Sequence, residues 1–249
     1  MIITIDGPSA SGKSSVAQKL AQQLNFIHIN SGFLYRAAAV IFLKQAPNYF
    51  QNNSKNNNPA NQPEFLQLLS QLKYIYNPAT NRAQVYHLDQ DLTPELKIAQ
   101  VSQMASVLSA NSEIREIINK LQRDLVIAQP ESNYIADGRD CGSVVFPQAN
   151  LKIFLTASIQ VRAERFCRDL LRQQQAKQKA QQAPLQSDSS QLDKSQLAPI
   201  DCLAELTERD QRDLTRTVAP LIVPAGAVII DSSALTLEQV VQKIKQLIA

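Results

Sequence analysis

Short apolar runs alternate along this chain with longer stretches of helical periodicity. Residues 2–6, IITID, form a β-rich run closed by Gly7 and Pro8, the pattern of a buried strand. Val16, Ala17, Leu20, Ala21 and Leu24 follow at helical spacing, and a second strand is expected over 26–30. A helix over about 33–44 completes a strand, loop, helix, strand, helix order, the signature of a parallel α/β sheet. Further strands are expected at 134–137, 151–155 and 228–231, with helices at about 94–109, 112–128 and 203–216 and another starting near 158. Leu237, Val240, Val241, Ile244, Leu247 and Ile248 mark a last amphipathic helix. Five strands then make a parallel sheet with helices on both faces. The runs 72–77 and 83–88 flank Pro-Ala-Thr-Asn and predict a hairpin outside that sheet.

Two segments break the pattern. Residues 45–63, QAPNYFQNNSKNNNPANQP, are too rich in Asn and Pro to build a core and predict an exposed loop or insertion. Residues 173–196, QQQAKQKAQQAPLQSDSSQLDKSQ, predict a mobile or disordered excursion. The chain of 249 residues, 44% hydrophobic and 19% charged, suits one globular domain with insertions. Its net charge of +3 comes without a long Lys/Arg run, which argues against a nucleic-acid partner. No segment reaches the roughly 18–20 apolar residues of a membrane span. Cys141, Cys167 and Cys202 are odd in number and contain no CxxC pair, so neither a disulfide framework nor a zinc site is expected. Reduced thiols and a start without a basic leader predict a cytoplasmic protein.

The chemistry begins at GPSASGKSS. Gly7 to Ser14 match G-x-x-x-x-G-K-[ST], between a strand and a helix as that motif requires. Gly7 and Gly12 permit turns that a Cβ would obstruct, and backbone N–H groups then converge on phosphate at a helix N-terminus. Lys13 can reach the β- and γ-phosphates and Ser14 can ligate Mg²⁺, which predicts a purine triphosphate with Mg²⁺. An Asn-Lys-x-Asp base-reading motif of a GTPase is absent, and the chain is short for a motor or helicase.

A small-molecule kinase also needs cations around a second phosphate and a cover that excludes water. Arg36, Arg115 and Arg139 stand near loops or helix ends, while Arg162, Arg165, Arg168 and Arg172 make one helix face basic. Arg209, Arg212 and Arg216 repeat that spacing beyond the Gln-rich segment, with Asp213 among them. Guanidinium groups bind phosphate in a bidentate way and stay charged. The bend YIADGRDCGSVVFP, residues 134–147, crowds Asp137, Arg139 and Asp140 around Gly138 and Gly142, two glycines that let it run close to a ligand. Asp137 ends a strand beside the phosphate loop, where it can orient a Mg²⁺ water. Cys141 is read as a small spacer. His28 and His87 are expected to stay outside the chemistry.

Together ITIDGPSASGKSS, SGFLYR, IADGRDCGSVVFP, KIFLTAS, ERDQRD, TVAPL and VIIDSSALTLEQV resemble, in order and over most of the chain, a bacterial-type cytidylate kinase of the nucleoside monophosphate kinase family. The resemblance implies a single P-loop kinase domain over 1–249. Its five-stranded core would carry a monophosphate-binding excursion at about 35–125, with a small antiparallel sheet, and a lid at about 165–210. It implies MgATP-dependent phosphorylation of CMP and dCMP by a monomer. It implies that Gly7, Pro8, Ser9, Ala10, Ser11, Gly12, Lys13, Ser14 and Ser15 hold ATP, and that Lys13, Arg139, Arg162, Arg165 and Arg216 act in catalysis. Ser31, Tyr35, Arg36, Arg139 and Arg216 would surround the CMP phosphate and ribose. Ser106, Arg115 and Asp140 would read cytosine, Arg209 and Asp213 would approach the sugar, and the 231–235 loop would meet adenine. Ser14, and Asp137 through water, would serve the metal. Asn30 replaces the family's usual Asp, Lys97 its common Arg, and the lid segment is longer than usual. The alternatives are a broader UMP/CMP or other small-molecule kinase, a nucleotide-gated binding protein, and an RNA-binding module suggested only by the mildly basic charge.

Overall fold

The computed structural model describes residues 1–45, 63–181 and 199–248; of 173–181 and 199–201 it describes the backbone only. The Asn/Pro-rich insertion, and the centre of the Gln-rich segment, lie outside the described residues. Five parallel strands form the main sheet: β1 (Ile2–Asp6), β2 (Ile27–Asn30), β6 (Tyr134–Gly138), β7 (Leu151–Thr156) and β8 (Val228–Asp231), in the order β2-β6-β1-β7-β8. Along β1 the register pairs Ile3 with both Ile135 and Leu151, and Asp6 with both Gly138 and Phe154. The carboxyl ends of the strands therefore finish at one edge, where open α/β sheets bind ligands.

Alternation along β1 decides what each face does. Ile3 and Ile5 point to α1 (Lys13–Leu24) and α8 (Leu237–Gln246), joining Val16, Leu20, Ile135, Ile153, Val241 and Ile244 in a buried cluster. Thr4 and Asp6 point to the other face, which is closed by Tyr134, Ala136, Val145 and Phe146. Helix α8 begins with a capping box between Thr236 and Gln239.

A second core lies beside the sheet. Helices α2 (Ser31–Gln45), α3 (Pro63–Ser70), α4 (Ala99–Leu108) and α5 (Ser112–Ala128) surround a three-stranded antiparallel sheet of β3 (Leu72–Asn77), β4 (Arg82–His87) and β5 (Gln90–Asp91). The hairpin pairs Leu72 with His87 and Asn77 with Arg82 around the expected turn. Three features differ from the sequence reading. Helix α3 forms because Phe65 and Leu69, one turn apart, bury themselves, Phe65 edge-on to Phe42 with ring centroids 5.6 Å apart. Strand β5 is two residues long and is held only by pairing with β4. The helix expected over 94–109 is split into a 3₁₀ turn, Thr93–Lys97, and α4, because Ile98 between them is extended (ψ 133°).

Helices α6 (Ile159–Gln181) and α7 (Pro199–Thr215) pack together and are joined by a disulfide between Cys167 and Cys202, with Cα atoms 5.8 Å apart. This corrects the expectation of unpaired thiols. The partners are 35 residues apart and meet only because the two helices fold back on each other, which spacing alone does not reveal. Cys141 remains free and buried. No helix among the described residues is long and apolar enough to cross a membrane.

Candidate active site

A cleft of about 1160 Å³ opens at the carboxyl edge of the sheet. Its floor is the phosphate loop. Gly7 approaches β7 so closely that a Cβ would lie 2.0 Å from the Leu155 carbonyl oxygen. Lys13 Nζ donates back to the Pro8 carbonyl at 3.0 Å, and burial, then the nearby Arg139 guanidinium, depress its pKa well below the usual ammonium value. The residues from Ser9 to Ser15 line the cleft, while Gly7 and Pro8 lie behind the wall.

Arginines from two elements, the bend after β6 and α6, hold this loop. Arg139 Nη2 donates to Ser9 Oγ at 2.8 Å, Arg162 Nη1 to the Ser9 carbonyl at 3.2 Å, and Arg165 Nη1 to the Ser11 carbonyl at 3.3 Å. Arg162 also pairs with Asp210 and donates from Nε to the Ala157 carbonyl. It does not line the cleft; its guanidinium fastens α6, α7 and the loop to one another. Arg165 further donates to Ser232 Oγ at 3.0 Å and to the Ser232 carbonyl at 2.8 Å, tying the loop after β8 to the same wall.

The bend after β6 supplies the opposite wall. Ser14 Oγ donates to Asp137 Oδ2 at 2.5 Å, and His28 Nε2 lies 2.6 Å from Oδ1. Burial pushes the pKa of Asp137 up, but the bonds from His28 and Ser14 and the charges of His28 and Lys13 outweigh it and leave the pKa lowered. Arg139 Nε donates to Asp213 Oδ2 at 2.7 Å. Asp140 turns away to pair with Arg115, both almost fully buried. Below them Asp6 accepts the N–H groups of Cys141 at 2.8 Å and Gly142 at 2.7 Å, and so fixes the start of the π-helical turn Cys141–Val145. The sequence reading placed Gly142 near a ligand. Instead a Cβ there would lie 2.6 Å from Thr4 Oγ1, so the bare backbone serves close packing against β1.

On the acceptor side, Tyr35 stacks beneath Arg115, whose guanidinium carbon lies 5.5 Å from the ring centroid, and the buried Tyr35 hydroxyl has no hydrogen-bond partner among the described residues. Arg115 Nη1 donates to the Ser109 carbonyl at 2.8 Å, and burial of its charge is outweighed by Tyr35 and Asp140, so its pKa is raised. Ser106 Oγ accepts from Arg212 Nη1 at 3.0 Å, and Ser31 Oγ donates to Gln122 Oε1 at 2.5 Å. Asn30 caps α2, its Oδ1 accepting from Phe33 N–H at 3.0 Å, while Lys97 lies outside the cleft lining. Arg216 reaches Asp213 at 3.5 Å and keeps a buried Nη2 without a hydrogen-bond partner.

Four guanidiniums in the wall, Arg36, Arg165, Arg168 and Arg209, make no ion pair among the described residues. Burial, then repulsion from Arg139 and Arg36, holds Arg209 down to about 10. Burial likewise lowers Arg36, opposed by Asp137 and reinforced by Arg139. Three cations thus converge opposite a loop built for phosphate, Arg139 and Arg209 compensated by Asp213 and Arg36 by Asp137. An anion between them relieves that repulsion.

The family model described as cytidylate kinase matches residues 3–249. This chain belongs to the cytidylate kinase family. A relative named cytidylate kinase from Chlamydia caviae is 37% identical over 100% of this chain and 98% of its own. Another of that name, from Caldicellulosiruptor bescii, is 36% identical over 98% of this chain and 94% of its own. A solved shikimate kinase from Bacteroides thetaiotaomicron aligns over 100% of this chain and 98% of its own, at 12% identity and a TM-score of 0.42. The cytidylate kinase motifs and the cleft coincide: of the family-suggested positions, Ser31, Tyr35, Arg36, Ser106, Arg115, Arg139, Asp140, Arg209, Asp213 and Arg216 all line it. Sequence reasoning missed His28 and Asp6. Their only signals were a histidine inside the strand next to the motif and a carboxylate ending an apolar run.

Proposed function

We propose that the protein transfers the γ-phosphoryl group of ATP to CMP and dCMP, giving CDP or dCDP and ADP. The observation that carries this reading is the phosphate loop facing the convergence of Arg36, Arg139 and Arg209, with a buried Arg115–Asp140 pair beside them, in a chain of the cytidylate kinase family. Residues Gly7 to Ser15 would hold ATP. Lys13, which here donates to the Pro8 carbonyl, would swing to the β- and γ-phosphates, whose charge would favour its ammonium form. Arg36, Arg139 and Arg216, with Ser31 and Tyr35, would hold the CMP phosphate, and Arg209 and Asp213 the sugar. Arg139, Arg165 and Arg216 would stabilise charge on the transferring group, and Arg162 would act by holding Ser9 and Asp210 in place.

Ser14 and Asp137 offer a hydroxyl and an ionised carboxylate side by side, the hard oxygen donors that suit Mg²⁺. These two side chains would hold Mg²⁺ with ATP, Asp137 through water, and the positive charge supplied there would offset that of the phosphates. The sheet and phosphate loop would form the core of one kinase domain, residues 35–125 the acceptor-binding excursion and 165–210 the lid. The working unit would be a monomer. A cytoplasmic location follows from the nucleotides it would use.

Base choice rests on Asp140 and Ser106 accepting from the cytosine amine and Arg115 donating to N3 and O2. Uracil reverses the N3 and C4 pattern and leaves a buried acceptor unmatched, at about 1–3 kcal/mol. ADP release measured in a coupled assay with CMP, dCMP, UMP, AMP and GMP tests this. CMP and dCMP are expected to be preferred. A preference for UMP or AMP would overturn the base assignment, and ATP binding without acceptor-stimulated turnover would overturn the kinase reading.

A further inference from the structure

Both oxygens of Asp137 are engaged within the protein. Oδ2 accepts from Ser14 Oγ at 2.5 Å, and His28 Nε2 lies 2.6 Å from Oδ1. An ionised carboxylate has no proton to give, so the imidazole is the donor in this bond, and the bond selects its Nε2–H form. His28 comes from β2, whose register places it beside Ile135, on the same face of the sheet as Asp137 and α1. It is buried and contributes nothing to the cleft lining.

We propose that His28 is a positioning residue for the metal-facing side of Asp137: its Nε2–H holds Oδ1 so that Oδ2 stays turned toward Ser14 and the phosphate loop. This rests on the reading of the site as one that uses a divalent cation with ATP. A carboxylate at a strand end can rotate about its side-chain bonds, and a bond to one oxygen fixes where the other points. Groups of this kind behind metal ligands orient them and commonly govern metal affinity about 10- to 100-fold.

The strand that carries His28 is itself fastened from the acceptor side. Tyr74, in β3, donates its hydroxyl to the His28 carbonyl at 2.8 Å and accepts the Asn30 N–H at 3.0 Å. Strand β2 is the edge of the parallel sheet, so Tyr74 occupies backbone groups that no neighbouring strand pairs. Tyr74, His28, Asp137 and Ser14 thus link the hairpin to the phosphate loop through hydrogen bonds and one short stretch of strand. A histidine present only to fill space needs none of this alignment, and a leucine would replace it without cost to the metal.

The test compares the full-length wild type with His28→Leu and His28→Gln, each saturated with a non-hydrolysable β,γ-imido analogue of ATP. Mn²⁺ binding is followed by electron paramagnetic resonance, analogue binding in chelator by calorimetry, and folding by thermal melt. His28→Leu is expected to weaken Mn²⁺ about 10-fold or more while metal-free analogue binding stays within about twofold. His28→Gln, which keeps an N–H of similar reach, is expected to recover most of the lost affinity. Unchanged Mn²⁺ affinity in His28→Leu overturns the proposal, as does equal loss in both variants. If His28→Leu fails to fold, His28→Asn replaces it, because its amide is too short to reach Oδ1; wild-type affinity in that variant is equally fatal. Turnover by the wild type without any divalent cation would instead remove the MgATP reading on which the proposal stands.

Discussion

The two sides of the cleft are held together by different means. The turn of the phosphate loop is set within the loop, where Ser11 N–H reaches the Pro8 carbonyl at 3.4 Å and Lys13 Nζ reaches the same oxygen, and Arg139, Arg162 and Arg165 brace it from outside. The acceptor side is held by charged side chains from distant parts of the chain. Arg115 meets Asp140 across 25 residues, and Arg139 meets Asp213 across 74. The loop is a local structure that a short stretch of sequence can specify. The arginine wall exists only once α5, α6, α7 and the β6 bend are packed together, and Arg36 and Arg209 within it make no ion pair among the described residues. One side is complete before its ligand arrives; the other is left electrostatically open for it.

Breaking the buried pair strains that contrast most. Asp140→Ala strands the Arg115 charge in the interior and is expected to cost about 3–5 kcal/mol in urea unfolding. In variants that still fold, it should also erase the preference for CMP over UMP. Full retention of that preference would remove Asp140 from base reading. Lys13→Ala is expected to slow turnover about 10²- to 10³-fold with every acceptor, with little change in acceptor preference. Loss confined to one acceptor would place Lys13 on the wrong side of the cleft.

The disulfide separates the two modes of assembly in another way. Cys202→Ser is expected to lower stability by about 2–4 kcal/mol under oxidising conditions, and reductant should bring the wild type down to the same level. Equal unfolding curves for wild type with and without dithiothreitol would mean that α6 and α7 are held by packing alone.

The smallest expected effect is the pH response of Asp6. Burial lifts this carboxyl to about 6, against the lowering bonds from Gly142 and Cys141. The fold favours its protonated form. That contribution to stability is therefore complete below about pH 4, the unfolded value, and is lost as pH rises through about 6. The stability of wild type relative to Asp6→Asn should fall by roughly 1–3 kcal/mol between pH 4 and 7. A rise over that range would reverse the sign assigned here.

Much of the scaffold was legible because its signals are local. All five sheet strands fall within a residue or two of their apolar runs, each bounded by Gly, Pro, Asn or Ser, and the hairpin forms around its Pro-Ala-Thr-Asn turn. Helix α3 escaped because it is only eight residues long and follows a segment with no core-building pattern. The break at Ile98 carries neither Gly nor Pro to announce it. Within the site, the phosphate loop and the arginine spacing were visible, but the partner of each arginine was not. Asp210 lies one residue from Arg209 in sequence, yet it pairs with Arg162 and also accepts the Ser9 N–H at 3.1 Å. His28 looked like an ordinary strand residue, because its carboxylate partner is 109 residues away.

By itself the sequence determined the α/β class, the phosphate loop with its Lys13 and Ser14, and the collection of arginines, since each depends on spacing over a few residues. Only the tertiary structure decided that Arg162 braces the loop from behind, that Arg36 and Arg209 make no ion pair among the described residues, and that Cys167 meets Cys202. It also decided that Asp137 is held between His28 and Ser14. The reason is physical: whether a charge is paired, buried or left to wait for a ligand depends on what packing brings within a few ångströms of it, and those neighbours come from all over the chain.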